Sequence, residues 1–556
     1  MRNSEGPRAR TSAQKEADAM RHALIRYTMP FAVLGTMLGA VACTDLTEVP
    51  YEEITEANLN PTSDDLAAFL APVYTPQRPI WMSWYGMVDW QGETADILLT
   101  PERPNGWYDS GIYIQNHEHR WNASSPGMAN GRWGNFYSGI IAANRVIYQI
   151  ETDFLQLEGD TRSMVLAELR GMRAFYYSLL LDNFGYVPIV TDYTSTELPE
   201  QSTRQEVYDF VVSELTESIP QLSPETGDAM YGRMNQWAAR AILARVYLNA
   251  EVYTGTPQWD GVIAVTQEII NSGRFQLDDT YRGIFARDNH TSPEMIFAVP
   301  YDATFAGGSN FHMKTLKPDL RYVFGMNAGP WGGSASNPQW IDTYDPDDGR
   351  LADTWLMGPQ FDSEGRGYDF QQHVPQMRDT QFNDGFPVWK YEVYEGMTGS
   401  SDVDYPIVRY AEVLMMAAEA MLRSGQAGQA AALVTQVRQR NFTGEATSKA
   451  TVTAAELMQG SRYNYGWYDG DGIVKTGPGG TPVQDGGADI QYGRFLDELG
   501  WEFAAEAHRR VQLIRFGVFT TKMWFNHAPN GDYRTIFPIP QGRLDTNEKL
   551  TQNPGY

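Results

Sequence analysis

The chain has 556 residues, of which 42% are hydrophobic and 20% charged, and its formal charge is -26. That length holds one large compact unit or two lobes. The acidity repels phosphate backbones and anionic lipid headgroups, which excludes nucleic acid as a partner and suits a neutral or cationic ligand. Aromatic residues reach 13%, with 15 Trp and 31 Tyr. Trp and Tyr need partners for their polar atoms when buried, so a surplus points towards a recognition surface.

At the amino terminus, Arg21 and Arg26 precede the apolar stretch Phe31 to Ala42, which runs directly into Cys43. A basic region, a short apolar run and small residues before a cut read as a secretory signal over residues 1–42. The run is too short for a bilayer, which takes about 20 helical residues. Ala40-Val41-Ala42-Cys43 resembles a bacterial lipobox, with Ala40 where Leu is usual, and predicts Cys43 as the lipidated first residue of the exported protein. Met1 and Met20 are both open as the start. Cys43 is the single cysteine, so a disulfide framework is excluded and stability must come from packing. Residues 43–60 read as a polar tether.

From there the spacing predicts a helix over 62–74, with Leu66, Phe69, Leu70 and Val73 on one face. Residues 81–132 carry Trp81, Trp84, Trp90, Trp107 and Trp121 among Gly, Pro and Asn and read as long structured loops. Helices follow over 135–151, 162–184, 204–219, 235–253 and 259–271, with Ala142, Ala143, Ala174, Ala238, Ala241 and Ala244 allowing close approach as in stacked helix pairs. Residues 291–405 lose the helical period and read as a second loop-rich region with strand pieces such as 295–300. Helices resume over 410–423, 427–440 and 495–516, and Gly470 to Gly487 reads as an exposed loop. The expected fold is mainly α: a tetratricopeptide-like helical-pair scaffold over 61–290 and 406–556, in one domain spanning 61–556. Its loop-rich, partly β insertions over 81–132 and 291–405 form the ligand face.

Ordered segments then carry a resemblance. Leu169-Arg-Gly-Met-Arg-Ala-Phe-Tyr-Tyr177 with Asn183-Phe-Gly-Tyr-Val-Pro-Ile189, Arg409-Tyr-Ala-Glu-Val-Leu-Met-Met-Ala-Ala-Glu-Ala420, Glu498-Leu-Gly-Trp-Glu-Phe-Ala-Ala-Glu-Ala-His-Arg-Arg510 and the ending Gln552-Asn-Pro-Gly-Tyr556 resemble the SusD/RagB family of nutrient-binding outer-membrane lipoproteins. His508 departs from the family's usual Gly. The resemblance implies a surface-exposed, lipid-anchored outer-membrane protein that binds a nutrient, and a TonB-dependent SusC-like transporter as partner.

A sugar ring stacks its C–H face on an aromatic ring while Asn, Asp or Arg take the hydroxyls. Asn105-Gly-Trp107-Tyr108-Asp109 offers that mixture, where the family tends to place a ligand-contacting Trp. Trp331, Trp340 and Trp355 are the candidates from the second irregular region. The expected ligand is thus an oligo- or polysaccharide, with a peptide or another nutrient, or a surface glycan hydrolase, as alternatives. The chain shows no nucleophile elbow, phosphate loop or dinucleotide fingerprint, so neither an enzyme nor a cofactor is expected. The acidic turn 342–350 fails the EF-hand pattern and reads as structural. His117-Glu-His119 lacks a third zinc ligand and reads as a pair of solvated histidines on a strand; no metal is expected. Glu412, Glu419, Glu502 and Glu506 sit at helical spacings that suit ion pairs with Arg409, Arg509 or Arg510.

Overall fold

A computed structural model describes residues 65–104, 108–125, 131–378, 380–466 and 485–556. Residues 1–60, read above as an export signal, Cys43 and a tether, lie outside the described residues, as does most of the stretch 470–487. Residues Pro61–Tyr556 form one compact unit.

Helices are laid down where the sequence caps them. Thr203 and Glu206 close a capping box at the start of one helix, and the Asn235 side chain accepts from the Trp237 and Ala238 N–H groups at another. The scaffold begins with α1 (Leu66–Tyr74), α2 (Gln77–Trp81), α3 (Met87–Glu93) and α4 (Ile112–His117), then α5 (Trp133–Glu151), α6 (Gly159–Asn183), α7 (Arg204–Ser218), α8 (Gln236–Leu248) and α9 (Trp259–Asn271). The short α10 (Phe311–Thr315) lies in the second irregular region; α11 (Tyr410–Arg423), α12 (Ala427–Arg438), α13 (Gly493–Glu502) and α14 (Arg509–Arg515) complete it. Neighbours pack in pairs: α5 on α6, α6 on α7, α8 on α9, α9 on α11 and α11 on α12. Gly139 on α5 has no room for a side chain, since a Cβ there would lie 2.2 Å from the Tyr176 ring of α6. The fold is therefore mainly helical with a tetratricopeptide-like pairing, as its sequence predicts. Residues 81–132 differ from the loop reading by holding α3 and α4, whose buried Trp90 and Tyr113 turn short apolar stretches into helices.

Three two-stranded ladders are described. β1 (Leu98–Leu99) pairs antiparallel with β3 (Ala335–Ser336), Leu98 opposite Ser336, and so joins the first irregular region to the second. β2 (Met295–Val299) pairs with β6 (Tyr405–Arg409), closing the ends of the second region onto the scaffold. β4 (Gly358–Phe361) and β5 (Gly367–Phe370) make a hairpin. Asp96, just before β1, is gripped by Arg509 of α14 at 2.7 Å.

The core is crossed by a buried ion network. Arg409, at the end of β6, reaches Glu502 at 2.8 Å, Glu506 at 2.8 Å and Glu294 at 3.3 Å. Arg350 holds Asp348, Glu498 and Glu502, Arg438 and Arg494 add to Glu498, Arg440 bridges Glu294 and Glu502, and Lys390 pairs with Glu506. This network breaks the single helix expected over 495–516. The Glu502 carbonyl accepts from Arg409 Nη2 at 2.8 Å and Tyr281 Oη at 2.7 Å. The Ala504 carbonyl accepts from Lys390 Nζ at 2.8 Å, and those of Ala505 and Glu506 accept from Tyr391 and Tyr405 at 2.9 Å. Ala505 and Ala507 take φ of 58° and 64°, which ends the helix, and the carbonyls past it are met by these side chains instead of by helical N–H groups. The other expected pairs are partly redistributed: Glu412 binds Arg245, Glu419 binds Arg515 and Arg423, and Arg510 donates to the backbone carbonyls of Arg534 and Thr535.

Burial alone would raise the Glu502 carboxyl, but Arg440, Arg409 and Arg350 bring it down to about 2. Its contribution to stability is fully present above the unfolded value near 4.5 and is lost as the pH falls towards 2. Urea midpoints measured between pH 5 and pH 2 should fall steadily over that interval. Arg409→Met removes the buried cation shared by Glu294, Glu502 and Glu506 and should cost about 3–5 kcal/mol, read as a lowered urea midpoint at pH 7.

Candidate functional site

The two irregular regions meet at an aromatic surface. Between α2 and α3 the chain turns outward, with Tyr85 at φ 60°, and presents Trp84, 43% exposed. Trp84 leans against the half-exposed Trp331 at 5.2 Å between ring centroids and 52° between planes. Tyr85 stacks on Tyr113 of α4 at 5.6 Å and 14°. The Trp84 N–H donates to Asn310 Oδ1 at 2.7 Å, and the Asn310 N–H to the Met82 carbonyl at 3.0 Å. The Trp331 N–H donates to the Met313 carbonyl at 2.6 Å. Each ring is thus fixed by its own backbone to α10 or the residue before it. Two rings set at an angle form a shallow apolar notch that can receive the face of a flat or puckered ring.

Polar groups border it. Tyr85 Oη donates to Asp109 Oδ2, and burial followed by that hydrogen bond raises the phenol well above its ordinary value; it stays a neutral donor. Tyr108 is half-buried and its hydroxyl accepts from Arg378 Nη1 at 3.2 Å. Tyr108 packs on a small separate core of Leu99, Ile114, Val374, Met377 and Phe525.

A buried charge cluster lies beneath. Asp89 and Glu93, one helical turn apart on α3, both bind Lys314 of α10, and all three side chains are fully buried. Asp89 also accepts from the Tyr85 N–H at 2.8 Å and Tyr113 Oη at 3.1 Å. The Lys314 carbonyl accepts from the Gly333 N–H at 2.7 Å. Lys314 therefore pins the Trp84 side of the notch to the Trp331 side. Burial raises the Glu93 carboxyl against the pull of Lys314.

Of the residues named from sequence, Tyr108, Asp109 and Trp331 border this surface. Asn105 and Trp107 lie outside the described residues. Trp340 and Trp355 correct the expectation: they are 0% and 1% exposed and belong to the core. Trp340 sits under the Arg509 guanidinium at 4.7 Å and so close to Gly500 that a Cβ there would lie 2.3 Å from the ring; Trp355 is held in an antiparallel bridge to Val388. Trp84, Tyr85 and Lys314 escaped the sequence reading, although the acidic pair Asp89 and Glu93 at helical spacing among apolar neighbours was a readable sign. The histidines are also corrected. His117 ends a helix rather than lying on a strand, and His117 and His119 are fully buried among aromatic rings. Among the described residues no group of three or more His, Asp or Glu could hold a metal ion. Asp348 caps the helical turn Gly349–Thr354, so the acidic stretch is a structural turn. A cavity of about 80 Å³ beside α11 and α14 is lined by Glu412, Glu419 and Glu506, each held by an arginine.

Paired helices with inserted loops that converge on an aromatic notch define a helical-repeat scaffold with a ligand-facing surface. Residues 293–556 match the SusD family model, and residues 87–248 match the family model described as starch-binding, associating with outer membrane. The chain belongs to the SusD/RagB family. Starch-binding protein SusD of Bacteroides thetaiotaomicron is 26% identical over 460 residues, covering 72% of this chain and 75% of that relative. A SusD-like protein of Bacteroides ovatus is 24% identical, covering 78% and 80%. Among solved structures, surface glycan-binding protein A from Bacteroides thetaiotaomicron in complex with laminarihexaose aligns with a TM-score of 0.66 at 19% identity, covering 88% of this chain and 99% of that one. A laminarin-binding SusD-like protein aligns with 0.66 at 20%, covering 89% and 100%. At those identities the solved structures establish a shared fold.

Lys314→Met leaves Asp89 and Glu93 buried without a cation and should lower stability by about 3–5 kcal/mol. Adding Asp89→Asn and Glu93→Gln removes the stranded charges and should recover most of that loss. Thermal melts of the single and triple variants compare the two.

Proposed function

We propose that this chain captures an oligo- or polysaccharide at the cell surface on the Trp84–Trp331 notch and passes it to a TonB-dependent, SusC-like outer-membrane transporter. The observation that carries the reading is the meeting of the exposed Trp84 and the partly exposed Trp331 from distant irregular segments, with Asp109 bonded to the neighbouring Tyr85. Sugar recognition needs such a pairing of apolar faces with hydroxyl-binding groups. The names of the relatives support it: one is a starch-binding protein and one solved neighbour holds laminarihexaose. Asn105 and Trp107, in the same loop as Tyr108, are proposed as further contacts. Cys43 is proposed as the lipid anchor that keeps the protein on the outer membrane, in line with the family description. The transporter partner rests on the family resemblance. No chemical step belongs to the proposal; the work is concentration and transfer.

The test is affinity electrophoresis of the purified protein in gels containing laminarin, soluble starch or other polysaccharides. One glycan should retard the protein, and Trp84→Ala or Trp331→Ala should each weaken that retardation by about 2 kcal/mol, roughly thirtyfold in affinity. Retardation unchanged in both variants would remove the notch from the proposal. No retardation by any glycan in a folded protein would turn the reading to a peptide ligand, and turnover of a chromogenic glycoside would turn it to a hydrolase.

A further inference from the structure

Three imidazoles are packed together beside the proposed binding face. His117 ends α4, His119 follows two residues later, and His527 comes from the segment after α14. The His527 ring lies 5.3 Å from that of His117 and 4.9 Å from that of His119. His119 stacks on Phe519 at 4.4 Å and meets Trp524 edge-on at 4.7 Å; Trp524 stacks on His527 at 5.5 Å. All three histidines are buried.

The hydrogen bonds of two of the rings place the proton of the neutral form. His119 Nε2 faces the Thr94 carbonyl at 3.0 Å and His527 Nδ1 faces the Ala528 carbonyl at 2.9 Å. A carbonyl accepts only, so each of those nitrogens carries the single proton of the neutral ring. The His117 backbone also bears on the His527 ring, and the Asn526 side chain on His117. The surrounding charges are mostly positive. Arg510 of α14 bears on His119 and Arg120 on His527, and Arg534 lies over Trp121 beside them. The acids at the margin are already engaged: Glu118 binds Arg120 and is reached by Asn526 at 3.4 Å, while Asp485 accepts from the Met523 N–H at 2.9 Å. Burial pushes His117 and His119 well below the ordinary imidazole value and His527 down to about 4.

The cluster is mechanically joined to the binding face. Phe525, two residues before His527 and edge-on to His117 at 6.5 Å, belongs to the small core of Leu99, Ile114, Val374 and Met377 against which Tyr108 packs. Met377 precedes Arg378, the guanidinium on Tyr108. α4 runs from the Asp109 turn to His117. Displacing the 524–527 segment would withdraw Phe525 from the core on which Tyr108 packs.

We infer that His117, His119 and His527 form an acid-sensitive latch that holds the Tyr108 edge of the binding face in place and lets it loosen, with loss of bound glycan, as the pH falls. The ligand half of this inference rests on the glycan-binding reading above. The sign follows from proton linkage. A latch histidine in the open state titrates near 6.5 and in the closed state well below it, so the closed state is favoured in full above about pH 6.5 and loses ground as the pH falls. Each proton taken up by the open state alone multiplies its population about tenfold per pH unit.

The test is hydrogen exchange of the purified protein at pH 7.5 and 5.0, corrected for intrinsic exchange, with laminarin retardation measured at both. Peptides over 108–121 and 519–530 should exchange at least about tenfold faster at pH 5.0, while peptides over 159–183 stay protected and laminarin retardation weakens. The double variant His117→Phe with His527→Gln should shrink the pH dependence of both readouts to the share carried by His119 alone, whereas His508→Gln, a buried histidine outside the cluster, should leave it intact. Unchanged protection of the two segments at pH 5.0, simultaneous loss of protection over 159–183, or the same opening in the double variant would each overturn the latch. Should the double variant not fold, the comparison of segments in the unaltered chain still decides. A latch that opens in a protein that retards no glycan at either pH would sink the binding reading and leave the acid opening standing.

Discussion

The pairing of Arg409 with Glu502 and Glu506 is the constraint from which much of the architecture follows. A guanidinium with five donors, taken out of water, must find acceptors in every direction. It finds them in the two glutamates, in Glu294 and in the Glu502 carbonyl. To supply them, α13 ends and the chain turns before α14, β2 lies beside β6, and Lys390 is drawn in from the second irregular region. Positive and negative charges in the network nearly balance, so none is left stranded. Replacing one member is therefore costly although the network as a whole adds little over an apolar core. What it contributes is placement, since its charges tie β2, β6, α13 and the second irregular region together.

The binding face inherits that placement at one remove. α14 carries Arg509, whose grip on Asp96 fixes the start of β1, and β1 with β3 brings the first loop region against the second. Lys314 then performs on a small scale what Arg409 performs in the core, tying two backbone segments through shared charges. Trp84 and Trp331 are anchored through their backbone N–H groups, so on the proposed reading the notch exists before any ligand arrives.

Much of this was legible in the sequence. Regular periodicity located α9 and α11 to the residue, and most other scaffold helices to within a few positions, because one apolar stripe per helix suffices to specify them. The break between α13 and α14 was invisible: the heptad-like pattern of glutamates continues through it, and the donors that divert the carbonyls come from residues far away. Trp331 was named from its glycine-rich setting, and Tyr108 and Asp109 from their loop. Trp340 and Trp355 occur in similar settings and proved to be core, since composition alone does not say whether an irregular segment lies over the interior or at its rim. Trp84 stood among several tryptophans with nothing local to single it out; its role comes from meeting Trp331. The histidines failed for the same reason, as their third member lies beyond α14.

Asp96 and Arg509 are 413 residues apart in the chain, and this separation bears on how the protein comes to be folded. A contact between such distant positions closes an enormous loop, whose entropy must be met before the contact gives anything back. Helix pairs built from neighbours in sequence can form early, whereas the indole notch is assembled only once α14 has docked. On the proposed reading, capture of ligand reports on the last stage of folding.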